Sequence, residues 1–211
     1  LYGAGMLRRL GRVDHGNAFL DTHSLEKSRG ITIFSKQARL LYEDCEFTLL
    51  DTPGHVDFSA EAERTLSVLD YALLVVSSSE GIQPHTETLF RLLGRYGVPA
   101  FVFINKMDIS HLSRQELLSG LKGLGEGFID FSGDIPCEEL YDGLAMCSED
   151  MMEQYLDTGT IQADTIRRSI RNRQVFPCFF GSALKLEGIK ELLAGLAEYT
   201  TEPPRGDEFG A

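Results

Sequence analysis

The chain has 211 residues, of which 43% are hydrophobic and 25% are charged, a composition typical of a soluble globular protein with one sizeable α/β domain or two small ones. Its net charge of -12 argues against a free nucleic-acid binder, because phosphates repel an acidic surface. No apolar run approaches the length of a membrane span, so we expect no membrane partner. The four cysteines lack metal-ligand spacing, which favours reduced thiols in a cytoplasmic protein.

The two ends of the sequence suggest a piece of a larger protein. Residues 1–10 resemble the tail of a helix, and residues 11–30 form a long polar loop without a clear period. Residues 202–211 are rich in Pro and Gly, which predicts a linker to a following, absent domain. We therefore expect a single domain over residues 1–201 that is truncated at its N-terminus.

Predicted strands and helices alternate along the rest of the chain. Strands are expected at 31–42, 46–51, 71–77, 98–105 and 175–180, and helices at 57–69, 85–96, after a capping box of Ser113 and Glu116, and at 148–156, 164–173 and 187–199. Residues 71–77, YALLVVS, suit a strand buried on both faces. Residues 124–147 are rich in Gly, Asp and Pro and are expected to be irregular. This order predicts an α/β domain with a mostly parallel sheet.

Three polar motifs directly follow predicted strands. They are DTPGH at 51–55, NKMD at 105–108 and GSAL at 181–184. Ligands bind to open α/β sheets at the carboxyl ends of the strands. We therefore expect these three loops to lie along one edge of the sheet and to form a ligand site there.

NKMD has the residues needed to recognise guanine. The carboxylate of Asp108 can accept hydrogen bonds from both the ring N–H and the exocyclic amine of guanine, a pair of donors that adenine does not present. The aliphatic stem of Lys106 can cover the plane of the base, and Asn105 can tie neighbouring loops together. An ordinary polar turn is the alternative interpretation of NKMD by itself.

GSAL is expected to complete the base site. At Ser182, Ala183 and Leu184, backbone N–H groups could approach the carbonyl oxygen of guanine, because the side chains of the motif are small. The presence of GSAL and DTPGH in the same chain makes the polar-turn interpretation of NKMD much less favourable.

DTPGH and RGITI, residues 29–33, fit the chemistry of a terminal phosphate. Asp51 can hold Mg²⁺ through a water, and Gly54 has no side chain to keep its N–H from the phosphate. His55 would project towards the attacking water. Thr32 could place its hydroxyl on Mg²⁺ and its backbone on the phosphate, although β-branched residues there would also suit a plain strand.

RGITI, DTPGHVDF, NKMD and GSAL, in this order, resemble the second to fifth guanine-nucleotide motifs of translational GTPases, and the first two are similar to the elongation factor G branch. The resemblance implies a P-loop-NTPase-like GTPase domain with helices on both faces of the sheet. It implies GTP or GDP and Mg²⁺ as cofactors, and GTP hydrolysis on the ribosome with His55 as the catalytic residue.

The resemblance also implies which residues bind the nucleotide: Thr32, Asp51, Gly54, Asn105, Lys106, Asp108, Ser182, Ala183 and Leu184, with Thr32 and Asp51 at the metal. We expect a cytoplasmic monomer that meets the ribosome through the full-length protein.

The segment between NKMD and GSAL indicates which branch of the family is the nearest. Seventy-two residues separate Asp108 from Gly181, fewer than elongation factor G usually carries there. With MMEQYLDTG and VFPCFFGSALKLEGI, this segment is more similar to the tetracycline-resistance ribosomal protection proteins, which use GTP to dislodge the drug from the ribosome. Elongation factor G itself is the alternative.

One motif of the family is missing, because GxxxxGK[ST] does not occur in the chain. The missing part would supply the first, central strand of the sheet, a cradle of backbone N–H groups and a phosphate-binding lysine. We therefore expect this chain to bind GTP weakly or not at all. Two unpaired strand edges would also lower its stability.

Other functions stay open at this point. One is a GTPase-like module that docks on the ribosome or on another partner without turnover. Another is a metabolic or signalling GTPase, against which the pairing of RGITI with DTPGHVDF counts. Asp108 counts against an enzyme that uses adenine nucleotides.

Overall fold

A computed structural model describes residues 36–52, 65–133, 135 and 137–202 of the chain. The chain divides into two compact units, one formed by 1–69 with 83–96 and the other by 70–82 with 97–211. Several predicted features lie outside the described residues. These are the helix over 1–10, the loop over 11–30, RGITI, most of DTPGH with most of the helix over 57–69, and nearly all of the linker over 202–211.

The first unit contains an antiparallel hairpin. Strand β1 (Lys36–Tyr42) pairs with strand β2 (Cys45–Asp51) along its whole length, with Tyr42 opposite Cys45. The tight turn between them has a left-handed residue, Glu43, with a φ of 50°. The structure confirms the strand predicted over 46–51 and, of the strand predicted over 31–42, the part from residue 36 onwards, because 31–35 lie outside the described residues. The loop between the strands has two residues, fewer than the four-residue turn expected.

The same unit contains helix α1 (Pro84–Arg95), which confirms the helix predicted over 85–96. Pro84 stands in its first turn, where a missing backbone N–H costs nothing because that donor would have no partner within the helix. Phe90 and Leu93 are the buried residues of this helix. Their spacing of three residues places both on one apolar face.

The second unit is built on a four-stranded parallel sheet. Its strands are β3 (Ala72–Ser77), β4 (Ala100–Asn105), β5 (Phe128–Asp130) and β6 (Phe176–Phe180), in the order β3-β4-β6-β5. Every neighbouring pair is parallel. The predicted α/β class with a parallel sheet is therefore confirmed. Strands β4 and β6 are apolar and almost wholly buried, as expected of central strands in such a sheet.

Strand β3 is a correction to the sequence analysis, which predicted burial on both faces. Leu74 and Val76 are buried, but Leu73 and Val75 are 42% and 56% exposed. Side chains alternate between the two faces of a strand, so one face of β3 packs into the core and the other is open. A continuous apolar run makes a strand suitable for burial on both faces, but it does not show that other elements pack against both faces.

The segment 124–147 is a second correction, because it is not irregular throughout. It contains β5 and helix α3 (Cys137–Ala145). Gly127 leads into β5 with a φ of 86°, and a Cβ at this position would lie 2.1 Å from the carbonyl oxygen of Gln174. Gly127 thus marks a close approach of two backbones, and a segment rich in Gly and Asp gives no hydrophobic pattern from which such short elements could be recognised.

The second unit contains four further helices. They are α2 (Arg114–Leu121), α4 (Glu149–Thr158), α5 (Ala163–Arg171) and α6 (Ile189–Tyr199), close to the predicted bounds. The capping box before α2 is present, and the backbone hydrogen bond from Ser113 lowers the pKa of Glu116. None of the described helices has both the length and the apolar character needed to cross a membrane.

The core of this unit lies between the sheet and helices α3 to α6. Its largest fully buried side chains include Phe101, Phe179 and Met151. All four cysteines of the chain carry thiols, as expected. Cys178 on β6 is completely buried, and burial raises the pKa of its thiol well above the ordinary value.

Candidate functional site

The structure brings two of the three predicted loops together at the carboxyl edge of the sheet. Ser77 at the end of β3 is level with Asn105 at the end of β4, and Ile104 on β4 is level with Phe180 on β6. The loops that follow these three strands, including NKMD and GSAL, therefore leave the sheet side by side. The third predicted loop, DTPGH, begins at Asp51 in the other unit, and its residues 53–55 lie outside the described part of the chain.

The side chain of Asn105 joins NKMD to GSAL. Its Oδ1 accepts hydrogen bonds from the backbone N–H of Lys106 at 2.8 Å and from that of Ala183 at 2.9 Å. Backbone bonds reinforce the junction, because the Met107 N–H donates to the Gly181 carbonyl at 3.0 Å. The two loops are thus held together before any ligand binds.

The backbone of Lys106 has the left-handed conformation, with a φ of 65° and a ψ of 31°. This conformation costs a residue other than glycine about 1–2 kcal/mol. Ser78 holds the peptide in place, since its hydroxyl donates to the Lys106 carbonyl at 2.8 Å and its N–H donates to the Asn105 carbonyl at 2.9 Å. Ser78 is itself only 1% exposed. The turn allows the chain to leave β4 abruptly and begin the 3₁₀ turn Met107–Ile109.

The carboxylate of Asp108 lies in that 3₁₀ turn. Its side chain is 13% exposed, and the ammonium Nζ of Lys185 lies 3.7 Å from its Oδ2. Lys106 has a different partner, because its Nζ lies 3.5 Å from Oε1 of Glu80. Because this ion pair is longer than a hydrogen bond, the mostly buried carboxylate retains lone pairs that can accept hydrogen bonds from a ligand.

The backbone of the GSAL loop is closed on itself. Ser182, which is 1% exposed, exchanges hydrogen bonds with Glu187 in both directions, at 3.0 and 3.1 Å. The Lys185 N–H donates back to the Ser182 carbonyl at 3.1 Å. Within 182–185, the N–H of Leu184 is therefore the backbone donor that has no partner in the part of the chain that the structure describes. It is the donor that this loop can offer to a ligand.

Of the two predicted magnesium ligands, only Asp51 lies among the described residues, at the end of β2 and partly buried. No group of three acidic, histidine or cysteine side chains in the described ranges could hold a metal by itself. Mg²⁺ beside a nucleotide is usually held by one or two protein oxygens, with phosphates and waters as its other ligands. A single carboxylate such as Asp51 fits that kind of binding.

The arginines of α5 and the turn after it are engaged within the protein. Each has a partner among the described residues: Arg167 with Asp164 and the Glu198 carbonyl, Arg168 with Asp150, Arg171 with Thr201, and Arg173 with the Val98 carbonyl. Arg173 also stacks over the ring of Phe176, and burial lowers its pKa. Because these side chains have partners within the protein, they do not mark a nucleic-acid surface by themselves.

Three residues of the site were missed by the sequence analysis. Ser78 and Glu80 follow β3 in SSSEG, and Lys185 follows GSAL. Each contacts NKMD from a distant part of the chain. A signal existed for Ser78 and Glu80, because both are polar residues directly after an apolar strand of a parallel sheet.

Comparisons with known proteins agree with this geometry. Residues 1–202 match the family described as the Elongation factor Tu GTP binding domain. Elongation factor G of Mycoplasma genitalium is 35% identical over an alignment of 251 positions, which covers 96% of this chain and 36% of the relative. A crystal structure of a protein from Thermus thermophilus superposes with a TM-score of 0.83 at 23% identity, covering 95% of this chain and 37% of that one.

These matches confirm the fold and the family predicted from the motifs. The structural match supports the α/β architecture, and the sequence matches carry the assignment to a family. The chain spans just over a third of the length of both relatives. It belongs to the translational GTPases, as a GTP-binding domain of the elongation factor G and elongation factor Tu type.

Proposed function

We propose that this chain is the GTP-binding and GTP-hydrolysing domain of a factor that acts on the ribosome in the cytoplasm. The observation that carries the proposal is the junction of NKMD and GSAL by Asn105, with the carboxylate of Asp108 beside it. A carboxylate placed between two fixed loops can accept both donors of guanine, and a base without those donors would leave it unpaired. A relative with 35% sequence identity is an elongation factor G, which supports this proposal.

Each loop has a separate role in this proposal. Asp108 selects the base, the stem of Lys106 covers it, and the Leu184 N–H donates to its carbonyl oxygen. Asp51 and Thr32 bind Mg²⁺, which neutralises charge on the phosphates when it is bound. The sequence alone carries the roles of Thr32, Gly54 and His55, which lie outside the described residues.

His55 is proposed to orient the water that attacks the terminal phosphate. Replacing His55 by alanine in the full-length protein is expected to lower ribosome-stimulated GTP hydrolysis by about 100-fold or more, which is a common contribution of one positioned acid–base group. Nucleotide affinity should change little, because the role proposed for His55 concerns the attacking water and not the base. Phosphate release with and without ribosomes, beside equilibrium binding of GDP, measures both quantities.

The same experiment separates hydrolysis from the alternative, a module that docks without turnover. If His55→Ala hydrolyses GTP as fast as the unmodified protein, or if neither is stimulated by ribosomes, the catalytic proposal is wrong. His111 offers a matched control. It lies in the exposed loop after NKMD, so His111→Ala should leave both hydrolysis and binding unchanged.

We further propose that the factor is of the tetracycline-resistance ribosomal protection type. The short segment between Asp108 and Gly181 supports this. GTP-dependent release of tetracycline from ribosomes would distinguish this type from elongation factor G itself.

The 211-residue chain by itself is expected to bind GTP weakly. It contains no GxxxxGK[ST] motif, so it lacks the backbone cradle and the lysine that bind the phosphates. Isothermal titration calorimetry should then show little difference between GTP and guanosine and little effect of Mg²⁺. Tight, magnesium-dependent binding of GTP by this chain would contradict the expectation, and joining a phosphate-loop segment in front of Leu1 should raise the affinity.

A further inference from the structure

The loop after β6 carries a cation to which none of the four motifs assigns a role. Lys185 lies directly after GSAL, and its Nζ is 3.7 Å from Oδ2 of Asp108. Asp108 is the one side chain of NKMD that is both charged and mostly buried, at 13% exposed. Keeping a carboxylate out of water is costly unless an opposite charge lies close to it. Lys185 supplies that charge.

The neighbouring cations among the described residues have acidic partners of their own. The ammonium of Lys106 is directed to Glu80, at 3.5 Å. The guanidinium of Arg114 lies 4.0 Å from Asp130 and stacks on the ring of Phe180. These two contacts leave Lys185 as the cation that is paired with Asp108 in this part of the structure.

The backbone places Lys185 in this position. Its N–H donates to both the carbonyl and the hydroxyl of Ser182, at 3.1 and 3.3 Å. Ser182 is fixed in turn by its reciprocal bonds to Glu187. The loop that presents Leu184 to the base thus also directs Lys185 at the carboxylate. The side chain of Lys185 is 53% exposed, so its stem can adjust while the backbone stays in place.

The distance between Lys185 and Asp108 determines whether the ammonium competes with guanine for the carboxylate oxygens. At 3.7 Å from Oδ2, the ammonium is beyond ordinary hydrogen-bond distance. Both carboxylate oxygens therefore keep lone pairs for the two donors of guanine. A tight bidentate contact would have competed with the base, whereas this one neutralises the charge and restricts rotation of the carboxylate.

We propose that Lys185 is a positioning residue for guanine recognition, which holds Asp108 in the orientation that accepts two parallel hydrogen bonds. This inference rests on the proposed function, because it concerns the base site of the same GTPase. Lys185 acts through Asp108 and does not touch the base. Its effect should therefore be largest for the ligand that needs both carboxylate oxygens.

Inosine diphosphate offers that contrast, since hypoxanthine has the ring N–H of guanine but lacks its exocyclic amine. In the full-length protein, Lys185→Met is expected to weaken GDP binding about tenfold and inosine diphosphate binding clearly less, which lowers the ratio of the two affinities. Lys185→Arg should restore most of the ratio, because it keeps the charge. Calorimetry or competition against a fluorescent GDP derivative measures these affinities.

Lys190→Met is the matched control. Lys190 is an exposed lysine in the first turn of α6, five residues away, and its replacement removes the same charge from the same part of the domain. It should change neither affinity, and its thermal stability should match that of the unmodified protein, because an exposed charge contributes little to stability.

The outcomes separate this inference from the proposed function. If the unmodified protein prefers GDP over ADP but Lys185→Met loses nothing, or loses GDP and inosine diphosphate equally, the positioning role is wrong and the proposed function stands. If the unmodified protein shows no preference for guanine over adenine, the base site itself is wrong, and the role of Lys185 is contradicted with it.

Discussion

Asp108→Ala is expected to reduce the affinity of the full-length protein for GDP by more than about 100-fold. Guanine would lose two hydrogen bonds to a charged acceptor, each of which contributes roughly 1.5–3 kcal/mol. The loss would be greatest for GDP and small for ADP, which has no pair of donors to lose. Equilibrium binding of the two nucleotides to the variant and to the unmodified protein measures the change in preference.

The chain offers a closely matched control in Asp130. Both carboxylates lie at or just after the carboxyl ends of parallel strands, and their side chains are 13% and 11% exposed. Both have a basic partner, Lys185 at 3.7 Å and Arg114 at 4.0 Å. Asp130 also accepts a hydrogen bond from the Ser132 N–H at 2.8 Å, so Asp130→Ala should lower stability at least as much as Asp108→Ala while leaving the preference for GDP intact. Equal loss of that preference in both variants would show that damage to the fold, and not base recognition, explains the result.

Local signals in the sequence predicted local structure well. The capping box of Ser113 and Glu116 depends on residues three positions apart, so both partners are visible in one short stretch. The hydrophobic pattern likewise located β4 and β6, because buried parallel strands are apolar throughout. Strand β5 could not be recognised, since three residues are too few for a pattern and its pairing with β6 is what defines it.

The motifs predicted which residues gather at the site, but not how they are held there. NKMD indicated Asn105 and Asp108 through their chemistry alone. The bond from Ser78 to Lys106 spans 28 residues, and the one from Ala183 to Asn105 spans 78. Contacts between such distant residues depend on strand order, which no stretch of the sequence displays by itself.

The backbone conformation of Lys106 is another feature that the sequence could not predict. Positive φ is expected at glycine or asparagine, so a lysine gave no signal for it. The surrounding bonds of Ser78 and Asn105 make this conformation favourable in the folded protein. Strain held by neighbouring groups is common at functional sites, and here it lies at the turn that presents Asp108.

The fixed geometry of these loops also depends on a residue without a side chain, Gly181. A Cβ at this position would lie 2.0 Å from the carbonyl oxygen of Glu187 and 2.8 Å from its carbonyl carbon, and both are backbone atoms. The neighbouring Ser182 bonds to Glu187 in both directions, so the loop cannot open at this point without losing both bonds. Only glycine therefore fits the closed loop.

Gly181→Ala is expected to lower the free energy of unfolding of the domain by about 3 kcal/mol, at the upper end of the typical cost of overpacking, because backbone atoms must move to admit the methyl group. It should also weaken GDP binding by the full-length protein, since the same movement displaces Leu184 and Lys185. Urea unfolding and GDP titration measure the two effects.

Gly133→Ala is the control. Among the described residues, a Cβ at 133 would meet the side chain of Glu191, at 3.9 Å, so this substitution should change stability by less than about 0.5 kcal/mol. A Gly181→Ala variant as stable as Gly133→Ala would show that the loop can rearrange without cost, and the close packing of 181 against 187 would then not be what fixes the base site.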